Sequence, residues 1–198
     1  MTPRSTTIDR KTNETEISVT LDLDGTGTSD VQTGLGFLDH MLDALARHGR
    51  LDLELRCKGD LAVDDHHTAE DCGLALGAAI QEALGDRVGI ERFGSAYAPL
   101  DEALVEVTID LSGRPYLVYG MDLPRAKVGT FDVELVKEFY QAFAVKAACN
   151  LHVRCLYGTN LHHMIEASFK AFALALRSAT RITRPLGTIR STKEYLDD

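Results

Sequence analysis

The sequence predicts an α+β protein of two layers, built by internal duplication of a strands-helix-strand-helix unit. Three observations predict it. His66-His67-Thr68-Ala69-Glu70 returns as His162-His163-Met164-Ile165-Glu166, so both copies read His-His-x-x-Glu, with their first histidines 96 residues apart. The alternating stretch Val19-Thr20-Leu21-Asp22-Leu23-Asp24-Gly25 is echoed 88 residues on by Val107-Thr108-Ile109-Asp110-Leu111-Ser112-Gly113. The segment Phe37 to Gly49 aligns with Leu135 to Ala148, and 98 residues on Ala142 and Ala144 fall on Ala44 and Ala46, and Glu138 on His40. Strands that alternate bury one face, and helices with a single apolar stripe cover that face, which gives sheets clad on one side by helices. One domain of two repeats is expected, about 9–95 and 96–190.

The elements follow in order. Met1 to Thr7 is polar and reads as a loose lead. From Glu16 to Leu23, Ile17, Val19, Leu21 and Leu23 alternate with polar residues, the pattern of a half-buried strand. Asp24-Gly25-Thr26-Gly27 is a turn. Asp22-Leu23-Asp24-Gly25-Thr26 also matches the nucleophile motif of haloacid-dehalogenase-type phosphatases. That motif ends a continuously apolar parallel strand, whereas this strand alternates, so a hairpin turn explains the residues. Phe37 to His48 reads as a helix with a Phe37, Leu38, Met41, Leu42, Leu45 stripe and Gly49 as its C-cap. His48 on it reads as structural. Leu51 to Lys58 is a strand, and Asp60 to Asp65 an acidic loop whose Asp64 or Asp65 caps the next helix. That helix carries the first His-His motif and runs to about Leu84, with Ala75, Gly77, Ala78 and Ala79 permitting close packing. Ile90 to Pro99 bridges to the second round, which ends in a His-His helix reaching about Thr180 and a turn-rich tail from Arg184 to Asp198.

Composition narrows the function. With 44% hydrophobic and 26% charged residues the chain has the balance of a soluble globular protein. A formal charge of −9 speaks against a nucleic-acid or membrane partner, while leaving room for local arginines to hold an anionic small molecule. No apolar run of membrane length occurs, and no signal peptide is expected. Cys57, Cys72, Cys149 and Cys155 form no Cys-x-x-Cys pair; Cys72 and Cys149 have apolar helical contexts, and a reduced, cytoplasmic protein is expected.

Each His-His-x-x-Glu opens a helix, where positions i and i+3 or i+4 share a face and can close on one ion. Adjacent histidines point about 100° apart on a 3.6-residue turn. His66 and His67 are therefore unsuited to one metal, and the doubled motif implies two metal sites, each drawing ligands from more than one segment. Imidazole with carboxylate suits Mn, Fe, Zn or Ni better than Ca or Mg. The duplication sets His40 against one site and Glu138 against the other.

Taken together, Gly36-Phe37-Leu38-Asp39-His40-Met41-Leu42, Asp65-His66-His67-Thr68-Ala69-Glu70-Asp71, Ser112-Gly113-Arg114-Pro115-Tyr116, Asn160-Leu161-His162-His163 with Glu166-Ala167-Ser168-Phe169-Lys170, and Ser191-Thr192-Lys193 resemble the imidazoleglycerol-phosphate dehydratase family along nearly the full chain. The resemblance implies a duplicated fold like the second domain of ribosomal protein S5, two Mn2+ ions per active site, and a homo-oligomer of 24 subunits with ligands crossing subunit contacts. It implies one manganese held by His40, His66, Glu70 and His162, and the other by His67, Glu138, His163 and Glu166. Many relatives have His where Glu138 stands, and Gly where Glu194 follows Lys193. Glu138, as a carboxylate, retunes its site rather than emptying it.

The activity so implied is dehydration of D-erythro-imidazole glycerol phosphate to imidazole acetol phosphate in histidine biosynthesis. The C–H to be broken has no neighbouring carbonyl. A metal-stabilised imidazolate can expel the adjacent hydroxyl, and the resulting diazafulvene acidifies that C–H. By resemblance Glu14 is the base and contacts substrate, His40, Glu70 and Glu166 share in catalysis, and Arg92, Arg114, Lys170, Ser191 and Lys193 bind the phosphate. Lys170 has a separate hint, lying at i+4 from Glu166. A dinuclear metallohydrolase acting on a small phosphorylated substrate would use similar ligands and release phosphate. A metal-storing shell would hold many ions per chain.

Overall fold

In the computed structural model, which describes residues 4–183, 185 and 187–191, strand Thr15–Asp22 (β2) alternates buried and outward residues from end to end. Ile17, Val19 and Leu21 thus fall on one face. β2 runs antiparallel to Ser5–Lys11 (β1) and to Asp52–Gly59 (β4), and Ser29–Gln32 (β3) joins β4 in parallel. Because β2 has antiparallel neighbours on both sides, the phosphatase reading of Asp22 to Thr26 is excluded. Asp22 instead accepts the Asp24 backbone N–H across the turn at 2.9 Å.

The second half repeats this plan. Phe93–Leu100 (β5), Ala103–Asp110 (β6), Tyr116–Gly120 (β7) and Asn150–Tyr157 (β10) form a sheet of order β5-β6-β10-β7, matching β1-β2-β4-β3 strand for strand, with the parallel pair again at the same edge. A small hairpin of Lys127–Val128 (β8) and Phe131–Asp132 (β9) is added. By strand order the halves open at Ser5 and Phe93.

Four helices follow the predicted stripes: Gly36–Gly49 (α1), His66–Leu84 (α2), Leu135–Lys146 (α3) and Leu161–Thr180 (α4). α1 packs on α4 and α2 on α3, so each helix pair takes one member from each half. The buried residues of the two halves merge into a single core. The α2–α3 contact is close because Gly73 and Gly77 face backbone: a Cβ on either would come 2.6 Å from the carbonyl oxygen of Phe139 or Phe143. Here the expectation of small residues on α2 is met.

Several sequence expectations are corrected. Ser5 to Thr7 belong to β1, whose fully polar outer alternation gives no hydrophobic signal; pairing with β2, Ser5 opposite Asp22, orders it. Ile90 to Pro99 is largely strand β5, and Pro99 is tolerated because β5 is an edge. The left-handed cap of α1 is Arg50, at φ 55°, not Gly49. α3 stops at Lys146, and Cys149 lies in the buried connection to β10 rather than in a helix. All four cysteines are free. Among the described residues no helix is long and apolar enough to cross a membrane.

Candidate metal centre

Both His-His pairs stand in the first turn of a helix whose start is fixed by a side chain. Asn160 Oδ1 accepts the backbone N–H groups of His162 at 2.9 Å and His163 at 3.4 Å. Asp64 Oδ1 accepts that of His66 at 2.9 Å, so Asp64, not Asp65, closes the start of α2. These bonds satisfy N–H groups that a helix start leaves open.

The α1–α4 contact then gathers three ligand groups. His162 Nε2 lies 3.0 Å from Glu166 Oε2, one turn along α4. His40 Nε2, reaching across from α1, lies 3.2 Å from the same oxygen. The three ligand atoms fall within 4.8 Å of one another. Lys170 Nζ lies 2.7 Å from the other oxygen, Oε1. Burial pushes the Glu166 carboxyl up, but hydrogen bonds from Lys170, His40 and His162 outweigh it and hold it at about 2. The carboxylate is thus ionised, with one oxygen on the ammonium and the other turned to two imidazoles. This donor set fits a borderline transition metal. Glu166 therefore stands with His40 and His162, where the expected division of ligands had put it with His163.

In the mirrored contact, His66 Nε2 lies 3.4 Å from Glu70 Oε2, and Glu138 is half-buried on α3. Among the described residues no ion pair joins Glu138 to His66 or to His67, with which the expected division had grouped it, so the α2–α3 side gathers His66 and Glu70 alone.

The second histidine of each pair turns elsewhere. His67 Nδ1 lies 3.0 Å from Asp60 Oδ2, and its Nε2 is 3.6 Å from Glu14 Oε1. His163 Nδ1 lies 2.8 Å from Glu102 Oε2. The Asp60 hydrogen bond raises the basicity of His67, and that of Glu102 raises His163. Glu102 is itself held at about 2 by His163 and by the backbone N–H groups of Asn160 and Thr159. Glu14 sits in the β1–β2 turn, where Thr12 Oγ1 accepts its N–H and that of Thr15, both at 3.1 Å. Buried Asp71 clamps this turn to α2, accepting from Arg10 and from the Thr15 hydroxyl, each at 2.5 Å.

The expected phosphate residues are scattered in the single chain. Arg92 grips Asp110 through Nε and Nη2 at 2.6 and 3.0 Å, and its Nη1 holds the Arg190 carbonyl at 2.6 Å. Arg92 thereby ties down the segment that leads to Ser191. Arg114 is exposed after β6, Lys170 is engaged by Glu166, and Lys193 lies outside the described residues. Asp60, Glu102 and Asp71 escaped the sequence reading as site residues. The one available signal was that Glu102 recurs 88 residues after Glu14.

The sequence model of the family described as imidazoleglycerol-phosphate dehydratase matches residues 33–176. A protein of that name from Dinoroseobacter shibae is 56% identical, covering 98% of this chain and 100% of its own. One from Cereibacter sphaeroides is 55% identical over the same shares. The crystal structure of imidazoleglycerol-phosphate dehydratase from Staphylococcus aureus superposes with a TM-score of 0.82 at 39% identity, covering 90% of this chain and 99% of the other. That from Pyrococcus furiosus gives 0.83 at 36% identity, covering 96% and 100%.

Proposed function

The chain belongs to the imidazoleglycerol-phosphate dehydratase family, hydro-lyases of histidine biosynthesis, and on that premise we propose that it works through paired manganese centres shared between subunits. The observation that carries the reading is the convergence of His40, His162 and Glu166 at one point across the α1–α4 contact. These three would hold one ion. His66, Glu70 and Glu138, their counterparts on the α2–α3 pair, would hold the other. His67 and His163 are held through Nδ1 by Asp60 and Glu102, so their Nε2 atoms would complete centres of neighbouring copies. Exposure supports this: the side chains of His40 and His162 are 49% and 42% exposed in the single chain.

The bound metals would act as Lewis acids that stabilise negative charge on the imidazole ring. The chain's residues do the rest. Glu166, kept ionised and turned by Lys170, presents one oxygen on a fixed line. Glu14, on a clamped turn and beside His67 Nε2, is placed to accept a proton. Loss of the hydroxyl from the carbon next to the ring and of the proton from the following carbon leaves an enol, which becomes the ketone of imidazole acetol phosphate; the net product removed is water. Arg114, Ser191 and Lys193 supply donors for the phosphate. Lys170 serves Glu166 first.

The test is turnover of imidazole glycerol phosphate by chelated protein with and without restored Mn2+. We expect ketone product with metal alone restored. E14Q should bind metal normally and lose at least about a hundredfold in kcat, as expected for a positioned base. Absent turnover on restoring metal would remove the reading, and inorganic phosphate as product would replace it with a hydrolase.

A further inference from the structure

The two hairpin turns that carry Glu14 and Glu102 occupy the same place in the repeat, 88 residues apart. Each brings its glutamate to the second histidine of its half, but to different nitrogens. In the first half Asp60 already holds Nδ1 of His67, and Glu14 stands 3.6 Å from Nε2. In the second half Glu102 itself takes Nδ1 of His163 at 2.8 Å. Its other oxygen accepts the backbone N–H groups of Thr159 at 3.1 Å and Asn160 at 2.7 Å. Those residues precede α4, and Asn160 caps the His162-His163 turn.

The asymmetry lies in the residue after a matched glycine. A register shift after Cys155 sets Tyr157 opposite Leu104 as Lys58 stands opposite Glu16, so Gly158 matches Gly59 and Thr159 matches Asp60. Both glycines are crowded by the same helix position, Thr68 in one half and Met164 in the other. Where the first half offers the Asp60 carboxylate, the second has the hydroxyl of Thr159, and the turn glutamate takes the orienting role.

From this we infer that Glu102 is a positioning residue. It accepts a hydrogen bond from Nδ1–H of His163, fixing the ring so that the Nε2 lone pair faces outward, while its repeat partner Glu14 is left free for proton transfer. One chain thus makes one base and one orienting group from the same duplicated turn. Outer carboxylates that hold the far nitrogen of a metal-binding imidazole commonly contribute tenfold to hundredfold in metal affinity. The inference rests on the reading of His163 as a metal ligand.

The experiment measures Mn2+ binding by equilibrium dialysis, with the EPR of bound Mn2+, on wild type, E102Q, E14Q and H163A. E102Q should bind the more weakly held manganese about 10- to 100-fold less tightly. Excess Mn2+ should recover a large part of kcat, and E14Q should keep wild-type affinity yet lose turnover. Wild-type affinity in E102Q would overturn the inference, as would a kcat loss equal to that of E14Q at saturating metal. If H163A itself binds manganese normally, the ligand reading fails; if H163A loses metal and E102Q does not, only the positioning role fails. Should E102Q not assemble, E102D takes its place, since it keeps the charge on the turn but withdraws it from the ring, and the same two outcomes decide.

Discussion

The ionised Glu166 at the centre of the α1–α4 cluster makes a quantitative demand on stability. Its side chain is 13% exposed, with Lys170 on one oxygen and His40 and His162 on the other. Holding the folded carboxyl at about 2 against 4.5 in the unfolded chain makes ionisation worth roughly 3 kcal/mol to the metal-free fold. The folded value is the lower one, so this contribution is complete above pH 4.5 and is lost as pH falls towards about 2. Between about pH 5 and about pH 3 the loss is roughly 2 kcal/mol by linkage. Other carboxylates titrate in the same range, so the measurement is a difference. Metal-stripped wild type and E166Q are unfolded in urea at matched protein concentration, and the stability gap is followed with pH. The gap should narrow by roughly 2 kcal/mol over that interval. A gap that stays constant would show that Glu166 is not held ionised by these neighbours.

Three further outcomes are expected. Gly77→Ala puts a Cβ 2.6 Å from the Phe143 carbonyl and 3.0 Å from Ala147 N; it should lower stability by about 1–3 kcal/mol despite the better helix propensity of Ala, and an unchanged thermal midpoint would contradict the close α2–α3 contact. Asp71→Asn weakens a buried acceptor of Arg10 and Thr15, so urea unfolding should show a loss of about 1–3 kcal/mol, and kcat should fall with Mn2+ affinity kept as the Glu14 turn loosens; equal kcat would separate the clamp from the base. Chelation should lower the thermal midpoint and the sedimentation coefficient together, with Mn2+ at about a hundred times its Kd restoring about 2.7 kcal/mol; sedimentation indifferent to chelator would argue against ligands shared between subunits.

The legible parts of this protein were those with a short repeat. β2 and β6 alternate strictly, and α1, α2 and α4 carry clean apolar stripes, so both sheets and their helical cover were visible. β1, β3 and β5 were not, because edge strands held by backbone pairing need no hydrophobic face. His40, His66, His67, His162, His163 and the two glutamates of the motifs stood out because histidine pairs at helical spacing are rare. Asp60, Glu102 and Asp71 did not, because a carboxylate in a turn or within a helix has the same local signature whether it orients a ring, clamps a hairpin or faces water.

By itself the sequence determined that the chain is duplicated, which residue types can hold metal, and that neighbouring histidines in a pair point in different directions, since helix geometry alone separates them. Only the tertiary structure decided which helix faces which. Packing α1 on α4 brings His40 to the Glu166–His162 pair, and the Thr159 that stands where the first half has Asp60 leaves Glu102, unlike its counterpart Glu14, as the support of His163. Such choices depend on distances between segments far apart in the chain, which the core sets and no local pattern records.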